Sequence, residues 1–101
     1  MSLIRKILGL DPKIDCQELL NKGAILIDVR SPKEYAQGKV KGSQNIPLDN
    51  LTIKLPQIKA LKQPIVLCCA SGMRSGRATS ILKQNGIEAY NGGAWNKFTS
   101  K

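Results

Sequence analysis

The chain has 101 residues, 42% hydrophobic but only 4% aromatic, which fits one domain with a mostly aliphatic core and excludes a disordered tail. Its 16 Lys and Arg against 7 Asp and Glu give a formal charge of +9, concentrated after Leu51, where Glu88 is the single acid. The lysines there (Lys54, Lys59, Lys62, Lys83, Lys97) are scattered without interleaved aromatics, which argues against specific nucleic-acid binding and leaves a solubilising surface that attracts small anions.

The first ten residues, MSLIRKILGL, are amphipathic, lack a small-residue cleavage site and read as a surface lead segment over residues 1–12, with a weak membrane-surface contact as the other reading. Residues 13–101 are expected to form the domain. DCQELLNKG predicts a short helix, with Asp15 as cap, Glu18 at the spacing to reach back and Gly23 at the left-handed end. Ala24 to Val29 is a continuous β-branched apolar run, suited to a strand covered on both faces. SPKEYAQG predicts a second helix, with a cap-like Ser31, Pro32 at the first helical position and Gly38 as the stop. SQNIPLD is extended up to Pro47. In NLTIKLPQIKALK, Pro56 is expected to interrupt the helical pattern and leave two short pieces.

PIVLCC, Pro64 to Cys69, predicts the second buried strand, and Arg74 to Asn85 a helix ended by Gly86. IEAYN is a third short strand. In GGAWNKF, Trp95 and Phe98 are expected to pack as a satellite pair. Strands alternating with helices imply a parallel α/β sheet. No apolar run approaches the ~20 residues of a membrane span.

Ligands collect at the carboxyl ends of strands in such sheets. Cys69 stands at one, followed by Ala70, Ser71, Gly72, Met73, Arg74 and Ser75. Small residues and a glycine let the backbone curl so that its N–H groups point inward, and the helix start adds free donors and a positive dipole end. Such surroundings favour a thiolate, so a reactive Cys69 needs no histidine base, and the chain contains no histidine. Buried cysteine is common and usually inert, so plain packing is the other reading of this thiol. Cys68, one residue back, points to the opposite face and reads as core. Cys16 reads as an incidental, partly exposed thiol. Three cysteines, two of them adjacent, make neither a disulfide scaffold nor a zinc site, and fit reduced thiols in a cytoplasmic compartment.

The segments LIDVRSPKEYAQGKVKGSQNIPL and CCASGMRS together resemble the single-domain rhodanese (thiosulfate sulfurtransferase) family, from about Ile14 to Phe98. The resemblance rests on Asp28-Val29-Arg30, Glu34-Tyr35, Gly38, Gly42 and Asn45-Ile46-Pro47 at the family's spacing, on the loop Cys69–Arg74, and on the closing segment YNGGAW. It implies a small five-stranded parallel sheet flanked by helices, its first strand a short piece around Ile14. It also implies a sulfurtransferase without a cofactor, in which Cys69 takes sulfane sulfur from thiosulfate, a persulfide or a polysulfide. Ala70, Ser71, Gly72, Met73, Arg74 and Ser75 would bind the donor, and a thiol, cyanide or a sulfur-acceptor protein would remove the sulfur. Lys39 stands where the family often has histidine. The mostly neutral loop favours a persulfide or polysulfide over the thiosulfate dianion. Asp28, Arg30 and Glu34 read as support behind the loop, with acid–base catalysis as the alternative for the first two.

Two other functions share these residues. One is a persulfide carrier or redox-sensing module without turnover. The other is a cysteine-dependent phosphatase, whose loops place five residues between cysteine and arginine where this chain has the four from Ala70 to Met73. A monomer is the expected state.

Overall fold

A computed structural model describes residues 14–98. The lead segment expected over residues 1–12 lies outside them. Helix α1, Cys16–Asn21, is capped by the Asp15 carboxylate, which accepts from the Glu18 N–H. Glu18, expected to reach back to the cap, instead forms an ion pair with Lys22 at 3.6 Å. Strand β1, Ile25–Asp28, follows. Helix α2, Pro32–Gln37, starts with a full capping box between Ser31 and Glu34. Strand β2 is the two residues Gln44–Asn45.

The proline-containing segment forms two short pieces, a 3-10 turn at Leu48–Asn50 and helix α3 at Leu55–Lys59. Pro56 lies in the first turn of α3, where its missing N–H has no intrahelical partner to lose. It therefore begins the second piece and interrupts nothing. Strand β3 is Ile65–Cys69, helix α4 is Met73–Gln84, and strand β4 is Ala89–Ala94. A 3-10 turn, Trp95–Lys97, follows β4.

The strands form one parallel sheet in the order β2-β1-β3-β4. The described residues thus make four strands where five were expected. Ile14 pairs with none of them, and Asp15 is already the cap of α1; the rest of the expected strand lies outside the described residues. Strand β4 also runs further than IEAYN, into the glycines. Leu67 pairs with Asn91 but Cys68 with Gly93, so Gly92 is the extra residue of a bulge that glycine tolerates.

All five residues of β3 are buried, and their alternation divides the core. Ile65, Leu67 and Cys69 face Ile58 of α3 and Ala78 and Leu82 of α4, together with Ile27 and Val29. Val66 and Cys68 face Leu20 of α1, Leu26 and Val40, and Trp95 and Phe98, expected as a satellite pair, pack against this core cluster. Two covered faces explain why β1 and β3 read as unbroken apolar runs.

Candidate active site

The chain leaves β3 at Cys69, passes Ala70, Ser71 and Gly72, and enters α4 at Met73. Gly72 is the residue before the helix and has φ 104°, the left-handed region that favours glycine. A Cβ there would also meet Gly93 Cα at 3.3 Å, so the loop and the end of β4 approach too closely for a side chain.

This turn closes three donors on one sulfur. Cys69 Sγ accepts from Gly72 N–H at 3.0 Å, and Ser75 N–H and Ser75 Oγ both lie 3.4 Å away. Burial works to raise the Cys69 pKa. The Ser75 hydroxyl and the N–H groups of Ser75, Gly72 and Ser71 outweigh it and hold the thiol below its ordinary value. The neighbouring cysteine goes the other way. Burial, reinforced by the Asp28 carboxylate, pushes Cys68 up to about 12. Half-buried Cys16 is also raised, chiefly by burial; its Sγ sits 3.9 Å from the Asn91 carbonyl oxygen.

The remaining loop residues divide by what they touch. Ala70 and Ser71 are exposed, and the Met73 side chain stands 80% exposed at the rim. The side chain of Arg74 reaches α2. Its guanidinium forks onto Glu34 of α2, Nη1 to Oε1 at 2.7 Å and Nη2 to Oε2 at 2.9 Å. That contact, with the Ser31 cap, holds Glu34 at about 2. A carboxylate thus holds both ends of the Arg74 fork. The hydroxyl of Ser75 supplies a side-chain donor to the sulfur. Ser71, Met73, Arg74 and exposed Arg77 line a depression of about 570 Å³ beside the loop.

Behind this loop, the end of β1 is a closed polar network. Arg30 grips Asp28 through Nε (3.0 and 2.9 Å) and Nη2 (2.7 Å), and donates further to the Gly38 and Glu34 carbonyls. Its guanidinium stacks 4.4 Å from the Trp95 ring centre. Both partners are buried, and every one of these contacts is internal to the fold. A supporting role, as opposed to acid–base chemistry, fits this closure. Lys39 Nζ lies 5.0 Å over the Tyr35 ring.

The structure adds a residue that the sequence reading passed over. Asn91 donates from Nδ2 to the Gly72 carbonyl at 3.0 Å, while its Oδ1 accepts from Ser75 Oγ at 2.7 Å and from Gly93 N–H at 3.0 Å. The available signal was a lone amide ahead of two glycines in an otherwise apolar strand pattern. Among the described residues, no group of three His, Cys, Asp or Glu side chains is placed to hold a metal ion. No helix among them is long and apolar enough to cross a membrane. Chemically, the arrangement favours negative charge on one buried sulfur and can stabilise charge on an atom bound to it.

Comparison with known proteins places the chain in a family. The chain is 45% identical over 69 residues to the uncharacterized protein YqhL of Bacillus subtilis, covering 67% of this chain and 54% of that protein, so it spans about half the length of that relative. It is 36% identical over 72 residues to the thiosulfate sulfurtransferase GlpE of Pseudoalteromonas translucida, covering 70% of this chain and 68% of that one. Among solved structures, a rhodanese with anions from E. coli superposes with a TM-score of 0.70 at 28% identity, covering 78% of this chain and 95% of the other. The model of the rhodanese-like domain matches residues 14–101. The chain therefore belongs to the rhodanese-like family.

Proposed function

We propose that the protein is a sulfurtransferase that carries sulfane sulfur on Cys69. The observation that supports this most is the convergence of Gly72 N–H, Ser75 N–H and Ser75 Oγ on one buried sulfur at the end of β3. Such a ring stabilises a resting thiolate and, one bond further out, the charge of a persulfide. In the forward step, the Cys69 thiolate attacks the outer sulfur of the donor. A new S–S bond forms as the donor's own bond to that sulfur breaks, and its electron pair leaves with the departing group, sulfite from thiosulfate or a thiolate from an organic persulfide. A thiophilic acceptor then attacks the outer sulfur, and Cys69 leaves again as thiolate. No general acid is required, because each leaving group is a stable anion.

The pairing of Arg74 with Glu34 supports a singly charged organic persulfide over the thiosulfate dianion, since one of the two cations lining the depression beside the loop is already paired. The four-residue spacing supports sulfur over phosphate, because the donors already close to 3.0–3.4 Å around one atom. Intact mass spectrometry tests the reading. Treatment with thiosulfate or polysulfide is expected to add ~32 Da, one sulfur held covalently on the nucleophile, and cyanide is expected to remove it as thiocyanate. No adduct from either donor, or an adduct that persists in Cys69→Ser, overturns the proposal. An adduct that forms but is not turned over by small acceptors marks a carrier.

A further inference from the structure

Asn91 stands opposite Leu67 in the β3–β4 ladder, just before the bulge at Gly92. Its side-chain amide is committed at both ends. An amide donates only from nitrogen and accepts only at oxygen. Because Gly93 N–H can only donate, the atom facing it is Oδ1, and Nδ2 faces the Gly72 carbonyl. The Ser75 hydroxyl, 2.7 Å from Oδ1, must then be the donor in that pair.

The consequence lies in the single proton of Ser75. Two acceptors stand within its reach, Asn91 Oδ1 at 2.7 Å and Cys69 Sγ at 3.4 Å. A neutral thiol is the weaker acceptor, so the proton rests on the amide oxygen. A charged sulfur is the stronger one, and rotation about the Cβ–Oγ bond re-aims the proton without moving a heavy atom. The backbone N–H of Ser75 keeps pointing at Sγ in either state. Asn91 also anchors Gly72, whose own N–H makes the shortest contact to the sulfur.

We propose that Asn91 is a positioning residue for the sulfur chemistry: through Gly72 it fixes the loop around Cys69, and through Ser75 it holds one hydroxyl donor in reserve for the charged forms of the sulfur. This rests on Cys69 being the sulfur-carrying thiolate. The other charged or titratable groups around the loop are Arg74 with Glu34, exposed Arg77 on α4, the Asp28–Arg30 pair, Cys68 on the opposite face, Lys97 beside Gly93, and Cys16 against the Asn91 carbonyl. None of these donates a hydrogen bond to Sγ.

The test is the rate of iodoacetamide alkylation against pH in a Cys16→Ser background, where Cys68, held near 12, stays silent. Asn91→Asp keeps the shape, removes the donor to Gly72 and grips the Ser75 proton with a full charge. The alkylation midpoint is expected to rise by about one unit, the equivalent of one weakened hydrogen bond to an anion. Ser75→Ala is expected to raise it by a similar amount. The double variant is expected to shift by less than the sum of the two, because part of the Asn91 effect passes through Ser75. A folded Asn91→Asp protein that titrates with the parent, or strictly additive shifts, overturns the inference. Should Asn91→Asp not fold, Ser75→Ala decides alone, and an unchanged midpoint overturns the reserved donor. The readout needs no sulfur donor. A low parental midpoint with no shift defeats only the role of Asn91, whereas a parental midpoint at or above ~8.5 defeats the resting thiolate and this inference together.

Discussion

The carboxyl ends of β1 and β3 lie side by side, with Asp28 opposite Cys68 in the parallel register. Both lead into a short turn and then a helix. The β1 end consumes its own polar groups: Arg30 and Asp28 satisfy each other, the Gly38 and Glu34 carbonyls take up the spare guanidinium donors, and Ser31 and Glu34 cap α2. The β3 end does the reverse. It gathers three donors on a sulfur that, as a neutral thiol, needs none of them. Their surplus becomes useful only when the sulfur is charged. Equivalent positions in the sheet therefore differ, one closed on its own partners, the other, on the proposed function, open to reaction. The contrast recurs at single-residue scale, where Cys68 is raised to about 12 while Cys69 is lowered.

Separating chemistry from fold is the sharpest way to break this comparison. Cys69→Ser is expected to cut sulfur transfer by at least ~1,000-fold, the scale seen when a nucleophile is lost, while its thermal midpoint stays near that of the parent. Cys68→Ser and Cys16→Ser are expected to retain most of the transfer. A comparable loss in Cys16→Ser would require a mechanism with two cysteines.

The β1 end is expected to respond oppositely. Asp28→Asn leaves the buried Arg30 charge without its carboxylate, at a cost of about 3 kcal/mol in a urea melt. The molecules that remain folded should still form the persulfide. Lost persulfide formation with unchanged stability would move the pair from support to catalysis.

A milder perturbation addresses the loop. One glycine inserted after Gly72 widens the donor ring without altering the core. Transfer is expected to fall about 10- to 100-fold, as for one misaimed hydrogen bond to a charge, and affinity for oxyanions such as phosphate to rise. Unchanged sulfurtransferase turnover would show that the backbone ring does not tune the site.

The smallest effect concerns the link between the two ends, the Glu34–Arg74 pair. The hydrogen bond from Arg74, then the Ser31 N–H, lowers the Glu34 pKa to about 2. A carboxylate lowered in the folded state stabilises it above the ordinary value of ~4.3, and that contribution is lost as pH falls towards 2. Glu34→Gln keeps the cap acceptor and removes the charge. Its thermal midpoint should lie slightly below the parent at neutral pH and converge with it towards pH 2, so that its decline between pH 5 and 2 is flatter. An unaltered acid decline would show that the pair contributes nothing to it.

The local signals on the chain were strong where chemistry is local. Ser31, Pro32 and Glu34 announce α2, the runs ending in Asp28 and Cys69 announce strands covered on both faces, and Gly72 ahead of Arg74 announces the loop. Alternation alone separates Cys68 from Cys69, because successive side chains on a strand must face opposite layers. The short first strand could not be judged in this way. At Ile14 the described chain stands one residue before a helix cap, and the positions before it lie outside the described residues.

Tertiary structure decided the rest, and for one reason: the contacts that matter join residues far apart in sequence. Glu34 and Arg74 are 40 positions apart, and whether that arginine faces a substrate or a carboxylate depends on how α2 packs beside α4. Ser75 and Asn91 are 16 apart, and they meet because a bulge at Gly92 aligns the end of β4 with the loop after β3. Sequence by itself determined that a thiol would sit at a strand end within a ring of backbone donors. Only the folded chain determined which side chains complete that ring and which charge is withdrawn from it, because hydrogen bonds form by proximity in space, and the sheet sets that proximity.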